Sequence, residues 1–379
     1  MILTAFLGVL VGIFCGLTPG IHTNLIAVVV ASLSLDPVFA CVFLVCVAIT
    51  NSIVDAVPSV FLGASEDVMA LLPGHKLLVE GFGVEAVKFT VIGSLFGIVL
   101  AVLLVPLFII SFPFLFELIK PVLFWILLAL VIFILLRNFS WWNLLIFFLS
   151  GLLGLVVLYG VKEPLFPLLS GLFGGSGLIL STSTKIPPQK KANIKLPFPK
   201  VAKSLTSGVF AGSIVTLFPG LGPSQAAALL PVKNNGISYL VLIGALGSVD
   251  VVVSLVTWFV MGKARNGAVV ILKQIVDIVN PSLFIFMLGC VLFSVGVASI
   301  FSIIAALGYA KLFTKINYSY VCISVIVFLN IMVFLISGWL GILTFWIASF
   351  LGMIPAITGT NRSNAMGCLI LPILLRLVP

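Results

Sequence analysis

Apolar runs long enough to cross a bilayer recur from one end of this chain to the other, and no other feature restricts its fold so strongly. A membrane helix needs about 20 mostly apolar residues. By that measure segments fall at 3–34, 39–63, 88–111, 119–136 and 141–161, and again at 205–232, 237–262, 281–308, 318–336 and 338–353. Two further apolar stretches, 164–180 and 355–378, carry glycine and proline near their centres or ends and read as re-entrant hairpins. Only 8% of the residues are charged, against about 25% in an ordinary soluble domain. So few charges cannot cover a water-facing surface, and lipid is the solvent that tolerates them. The sequence thus predicts an all-α polytopic membrane protein of about 10–12 membrane segments, with no sizeable soluble domain. Met1 to Leu17 lacks a basic leader, so it reads as a first membrane segment and not as a cleaved signal.

The net charge of +9 is no nucleic-acid footprint, because it is concentrated in one place. Lys185, Lys190, Lys191, Lys195, Lys200 and Lys203 crowd the stretch 181–204, which reads as a cytoplasmic linker by the positive-inside rule. The linker divides the chain into a first membrane repeat, 1–180, and a second, 205–379. Cys15, Cys41, Cys46, Cys290, Cys322 and Cys368 are scattered through apolar sequence and read as small packing residues. The two histidines, His22 and His75, have no Cys cluster or carboxylate pair beside them. Neither a metal centre nor a cofactor is expected, and an enzyme is disfavoured.

The second half repeats the first in sequence as well as in hydropathy. Residues 8–28 align without gaps to 208–228. Gly8, Val9, Gly12, Leu17, Pro19, Gly20 and Ala27 match Gly208, Val209, Gly212, Leu217, Pro219, Gly220 and Ala227. Such internal repeats are typical of secondary transporters. The loop 64–87 is acidic on balance and its counterpart 263–277 is basic, so the repeats read as inverted, although Lys311 and Lys315 fall on the wrong side.

The matched Pro-Gly pairs carry the functional signal. Pro19 and Pro219 each lack an N–H and clash with the preceding turn, and Gly20 and Gly220 are free to leave helical geometry. Each segment should split into half-helices joined by an unwound link. Freed backbone groups are costly in hydrocarbon, so the breaks belong inside the bundle. The half-helix after each break aims its positive end at the interior, which suits an anion. Thr23 and Asn24 follow the first break, and Ser224 and Gln225 the second, offering neutral hydrogen bonds or simply caps.

Asp55 and Asp250 sit in the segments after the breaks, with Asn51 and Ser248 nearby. A carboxylate amid apolar neighbours must face the interior. This group is either the candidate coupling-ion site, for Na⁺ or a proton, or a set of structural carboxylates that cap helices or pair with lysines near the membrane edge. Arg362, in a polar interruption of the last apolar stretch, is either a carboxylate clamp or a topology residue. Arg265-Asn266-Gly267 raises the same choice, with Lys263 nearby favouring a surface loop.

With these motifs in hand the chain resembles the large membrane subunit of the tripartite tricarboxylate transporters, in a short archaeal form. The features are Gly16-Leu17-Thr18-Pro19-Gly20, Leu217-Phe218-Pro219-Gly220-Leu221-Gly222-Pro223, the stretch Gly63 to Gly83, Phe166 to Gly174, and Arg362 to Pro372. The resemblance implies a multi-pass protein of the cell membrane that takes up di- or tricarboxylates on an ion gradient. It also implies a small membrane subunit and an extracytoplasmic binding protein as partners. The sequence is compatible with a homo-oligomer. A translocase for a phosphorylated lipid carrier is the alternative, since a phosphate could use the same half-helix ends.

Overall fold

The computed structural model describes residues 1–19, 21, 23–33, 35–63, 68–137, 139–182, 186–190, 197–218, 226–227, 230, 236–276 and 278–377. Among them all regular structure is helical, and seven helices are long and apolar enough to cross a membrane. In chain order the first half contains α1 (Ile2–Leu17), α2 (Thr23–Ser32), α3 (Pro37–Val54), α4 (Ala56–Leu62), α5 (Val68–Val79), α6 (Gly83–Leu103), α7 (Val105–Ile119), α8 (Leu123–Arg137), α9 (Trp141–Gly160) and α10 (Leu165–Ser181). The second half contains α11 (Phe198–Val215), α12 (Ile237–Met261), α13 (Gly267–Ile275), α14 (Pro281–Leu312), α15 (Tyr318–Thr358) and α16 (Gly367–Leu377).

Helix contacts made through glycine set the architecture. A methyl group at Gly8 would lie 2.6 Å from the Phe43 carbonyl oxygen, and one at Gly12 would lie 2.9 Å from that of Val47. Contact therefore advances in the same direction along α1 and α3, and the two helices are parallel. Because α3 starts level with the start of α1, the chain between them has to come back. At about 1.5 Å of rise per helical residue, α2 and its flanks supply that return, so α1 and α2 form a re-entrant pair. The break expected at Pro19 is its tip, since α1 ends at Leu17 and α2 begins at Thr23.

The aligned glycines of the second half make the same contacts. A methyl at Gly208 would lie 2.6 Å from the Leu242 carbonyl oxygen, and one at Gly212 would lie 3.0 Å from that of Leu246. So α11 runs parallel to α12, as α1 does to α3. Further equivalences follow in register: Gly63 and Gly262 end α4 and α12 in the left-handed conformation, at φ 66 and 61. Across the halves the packing is crosswise, with α6 on α12, α14 on α3, α9 on α16 and the second arm of α15 on α10. Gly93 and Gly97 of α6 press on Val241 and Ala245 of α12, so this pair is parallel as well. It is stitched by Ser94 Oγ donating to the Gly244 carbonyl at 3.0 Å.

These directions place the ends of the chain. Helix α6 starts at the face where α4 finishes, and α12 starts at that same face. The described part of the linker lies there too: Lys190 N donates to the Gly81 carbonyl at 2.8 Å, and Gly83 N donates to Gln189 Oε1 at 2.7 Å. That face is opposite the one from which α1 enters.

Several expected boundaries shift. The stretch 164–180, read as a hairpin, runs on as one helix through a π-helical segment, Ser170–Gly175. Its glycines widen the helix and let it approach α15, since Gly171 abuts Phe345 and Ala348. The segment 88–111 is divided, because α6 ends at Leu103 and Pro106 opens α7, a position where a missing N–H costs nothing. Helix α15 does turn between the arms 318–337 and 339–358. Gly338, at φ 68 and ψ −160, makes the turn, and Trp346 Nε1 donates back to Asn330 Oδ1 at 3.0 Å.

Two outcomes follow. Cysteines introduced at Leu3 and at Lys190 should react with a membrane-impermeant maleimide from opposite faces of sealed vesicles. Replacing Gly208 by Leu should force α11 off α12 and cost at least about 1–3 kcal/mol by overpacking, read as a lowered unfolding temperature in detergent.

Candidate functional site

The carbonyls of Leu17, at the end of α1, and of the aligned Leu217, past the end of α11, are met by side-chain donors in the same way. The Leu17 carbonyl accepts from Tyr309 Oη of α14 at 3.4 Å. The aligned Leu217 carbonyl accepts from Arg265 Nη2, also at 3.4 Å. Backbone that leaves helical geometry within a bilayer must find such donors in the protein. Pro19 is described at the first tip, while Gly20 and, at the second, Pro219, Gly220, Ser224 and Gln225 lie outside the described residues.

The second break meets Asp250. Thr216 Oγ1, on the residue that caps the end of α11, donates to Asp250 Oδ1 at 3.0 Å. Asn266 Nδ2 donates to Asp250 Oδ2 at 2.9 Å. No lysine, arginine or histidine among the described residues forms an ion pair with Asp250. Two neutral donors therefore hold this half-buried carboxylate, and no cation among the described residues neutralises it.

Asn266 reaches that depth because the chain after α12 folds inward. Gly262 turns it, and Ser254 Oγ, two turns before the helix end, accepts from Arg265 N at 2.9 Å and Asn266 N at 2.8 Å. Helix α13 consequently begins inside the protein, capped by Asn266 Oδ1 accepting from Ala268 N at 3.1 Å. The start of α2 arrives at the same point, where the Asn24 amide presses directly on Gly267. Thr23 is buried beside it. Two helix N-termini, one from each half, thus converge near Asp250, and their partial positive charges point together.

Asn24 also lines a cavity of about 350 Å³, bounded by Val28, Lys162, Glu163, Phe166 and Leu335. Its rim is shaped by Glu163, which adopts φ 47, unusual for a side-chain-bearing residue, with its carbonyl accepting from Ser337 Oγ at 3.3 Å.

The other expected residues are distributed differently. Asp55 does not join Asp250. It lies at the junction of α3 and α4, where its Oδ2 accepts from Ser59 Oγ at 3.2 Å. In the register marked by Gly63 and Gly262, the position matching Asp250 is Asn51, and Asp55 matches Ser254. The backbone of Asn51 packs on α1 just before the first tip, since a methyl at Gly16 would lie 3.2 Å from its main-chain carbonyl oxygen. Ser248 belongs to a helix seam, donating to the Gly244 carbonyl at 2.7 Å on the side facing α6. Arg362 is buried, at 6% exposure, but stands against Gly177 and Gly63. Gly63 closes α4 some 12 residues along from Asn51, roughly 18 Å of helix. Arg362 is thus near the linker face and not at the tips.

Arg265-Asn266-Gly267, expected as a surface loop, is the main correction. Lys263 does lie at the periphery, 3.6 Å from the centre of the Phe116 ring, yet Arg265 and Asn266 turn inward, half-buried, to Ser254 and Asp250. An Asn-Gly pair directly before an apolar run is a helix-start signal, and that cue could have found it. Thr216, sharing the turn before Pro219, carried no cue of its own.

Helical throughout its described residues, with an interrupted helix pair closing on a half-buried carboxylate, the chain is a multi-pass membrane protein. It belongs to the tripartite tricarboxylate transporter TctA family, whose model matches residues 2–367. The uncharacterized protein MJ1079 of Methanocaldococcus jannaschii is 29% identical over 405 residues, covering 99% of this chain and 98% of that one. No solved structure matches the chain.

Replacing Asn266 by Ala removes both the donor to Asp250 and the cap of α13. The expected loss is about 1–3 kcal/mol, larger than for Asn24→Ala, and the comparison of unfolding temperatures in detergent checks it.

Proposed function

We propose that the protein is a secondary active transporter for a small organic anion, a di- or tricarboxylate, driven by a Na⁺ or proton gradient. The observation that carries this reading is the meeting of both halves at Asp250. Thr216 of one break and Asn266 of the inward loop hold the carboxylate, while Thr23 and Asn24 of the other half close on the same loop. In this reading the converging helix N-termini receive the anion with Thr23, Asn24 and, by the sequence repeat, Ser224 and Gln225. Asp250 takes up the coupling ion, with Asn51 as its neutral counterpart.

The two halves act as inverted repeats rocking about that centre. Three findings support this: the matching glycine contacts, the crosswise packing, and the opposite faces from which α1 and α11 enter. Membership of a tripartite family supports a small membrane subunit and an extracytoplasmic binding protein as partners in the cell membrane.

The cavity beside Asn24 favours one other reading. Its walls are mostly apolar and Lys162 stands at its edge, an arrangement that also suits the phosphate and first isoprenoid units of a lipid carrier. Competition by a water-soluble dicarboxylate but not by a polyprenyl phosphate separates the two.

In proteoliposomes, Asp250→Asn should abolish the dependence of uptake on an imposed Na⁺ or proton gradient while leaving exchange of internal for external substrate. Thr23→Ala combined with Ser224→Ala should reduce uptake at least tenfold with the protein still folded. Undiminished uptake by that double variant would sink the assignment of the breaks to the substrate.

A further inference from the structure

A second polar cluster lies apart from the Asp250 centre, near the face that carries the linker. Arg362 opens the short 3₁₀ turn Arg362–Met366 ahead of α16 and is buried, as are Ser363 and Asn364. Among the described residues, Arg362 Nε and Nη1 and Ser363 Oγ have no hydrogen-bond partner. Nor does Nδ1 of His75, on α5, which packs against this turn. The residues converge around one point of backbone. Arg362 Nη1 would lie 3.6 Å from a methyl group on Gly177, which abuts the Gly63 carbonyl. His75 Nδ1 would lie 3.8 Å from a methyl on Gly63 itself. Burial chiefly, and the Arg362 charge as well, hold His75 below the ordinary imidazole value.

The turn is not free to carry its guanidinium elsewhere. Asn364 Nδ2 donates to Asn143 Oδ1 of α9 at 2.7 Å, and Ser150 Oγ donates to the Asn364 carbonyl at 3.5 Å. An arginine near a membrane face ordinarily extends its charge to water. Here the anchored turn keeps it inside, with donor groups aimed at nothing described. Taking a charge out of water without a partner is strongly unfavourable. A planar guanidinium with free N–H groups, next to a hydroxyl, matches the oxygens of a carboxylate or phosphate.

We propose that Arg362, Ser363 and His75 form a second oxyanion site, set toward the linker face and separate from the centre at Asp250. Arg362 and Ser363 donate to the oxyanion, and His75 Nδ1 accepts from a hydroxyl or acid proton that the ligand carries. The ligand is a carboxylate or phosphate group, either of a soluble anion passing that face or of an anionic lipid headgroup. This goes beyond the transport reading: the site can bind an anion whether or not the Asp250 centre couples its movement.

The test uses the purified full-length protein in detergent, and in nanodiscs of either neutral or phosphatidylglycerol-containing lipid. Citrate, succinate and inorganic phosphate are the soluble probes, followed by unfolding temperature and equilibrium binding. At least one probe should stabilise the wild type. Arg362→Gln should weaken that binding tenfold or more, Ser363→Ala should weaken it less, and Arg362→Lys should restore part of it. Without any anion, Arg362→Gln should unfold at or above the wild-type temperature, because an uncompensated buried charge has been removed. Stabilisation seen only with phosphatidylglycerol, and lost in Arg362→Gln, identifies the headgroup as the source. The proposal is overturned if Arg362→Gln unfolds well below wild type without anion and binds every probe as wild type does. That result would mean that a group of the chain itself already neutralises Arg362. Loss of gradient coupling in Asp250→Asn bears on the transport reading alone, and anion affinity at Arg362 on this one alone.

Discussion

Two helices in lipid gain little by hiding apolar surface from each other, since the solvent is as apolar as they are. What holds them is close contact between backbones, and this protein obtains it by placing glycine where helices cross. Gly8 and Gly12 bring α1 against α3, Gly208 and Gly212 bring α11 against α12, and Gly93 and Gly97 bring α6 against α12. Each seam sets a direction as well as a distance. Parallel packing of α1 with α3 obliges the chain between them to return, and the return puts an unwound tip in the interior. The position of the polar site therefore follows from a packing rule.

The tips in turn determine what must surround them. A carbonyl released by a broken helix needs a donor, and Tyr309 and Arg265 serve the aligned Leu17 and Leu217. The inward fold after α12 brings Arg265 to its task and carries Asn266 to Asp250 in the same movement. Structural satisfaction and candidate chemistry are thus supplied by neighbouring residues of one loop. The halves are not chemically identical there. In the register marked by Gly63 and Gly262, Asp250 stands where the first half has Asn51, so only one of these two matched positions carries a carboxylate.

The two polar clusters differ in sign and in depth. Asp250 is an acceptor held by neutral donors within the bundle, whereas Arg362 is a donor held by a rigid turn near the linker face. Helix α3 and its continuation α4 connect the levels of the two, from Asn51 to Gly63. A polar group at each level is a reasonable feature of a protein whose family moves anions across a membrane.

Much of this was legible in the sequence. Long apolar runs with few charges required helices in lipid, the Pro-Gly pairs required a break in the first, and the aligned glycines marked where α1 and α11 meet their neighbours. These are local rules: a proline lacks its N–H and a glycine its side chain wherever they occur. Which residues meet was decided by the tertiary structure. Composition could not tell whether the interrupted segment crosses or returns, since hydropathy is the same in either direction. The stretch 164–180 stayed helical because its glycines found α15 to pack on. Arg265 and Asn266 entered the interior because Ser254 offered an acceptor two turns back along α12. Asp55 and Asp250 looked alike as carboxylates in apolar sequence, and only the register marked by Gly63 and Gly262 showed that they occupy different positions, Asp55 matching Ser254 and Asp250 matching Asn51. Local chemistry specified the elements, and the close approach of backbones, a property of pairs of helices, specified the site.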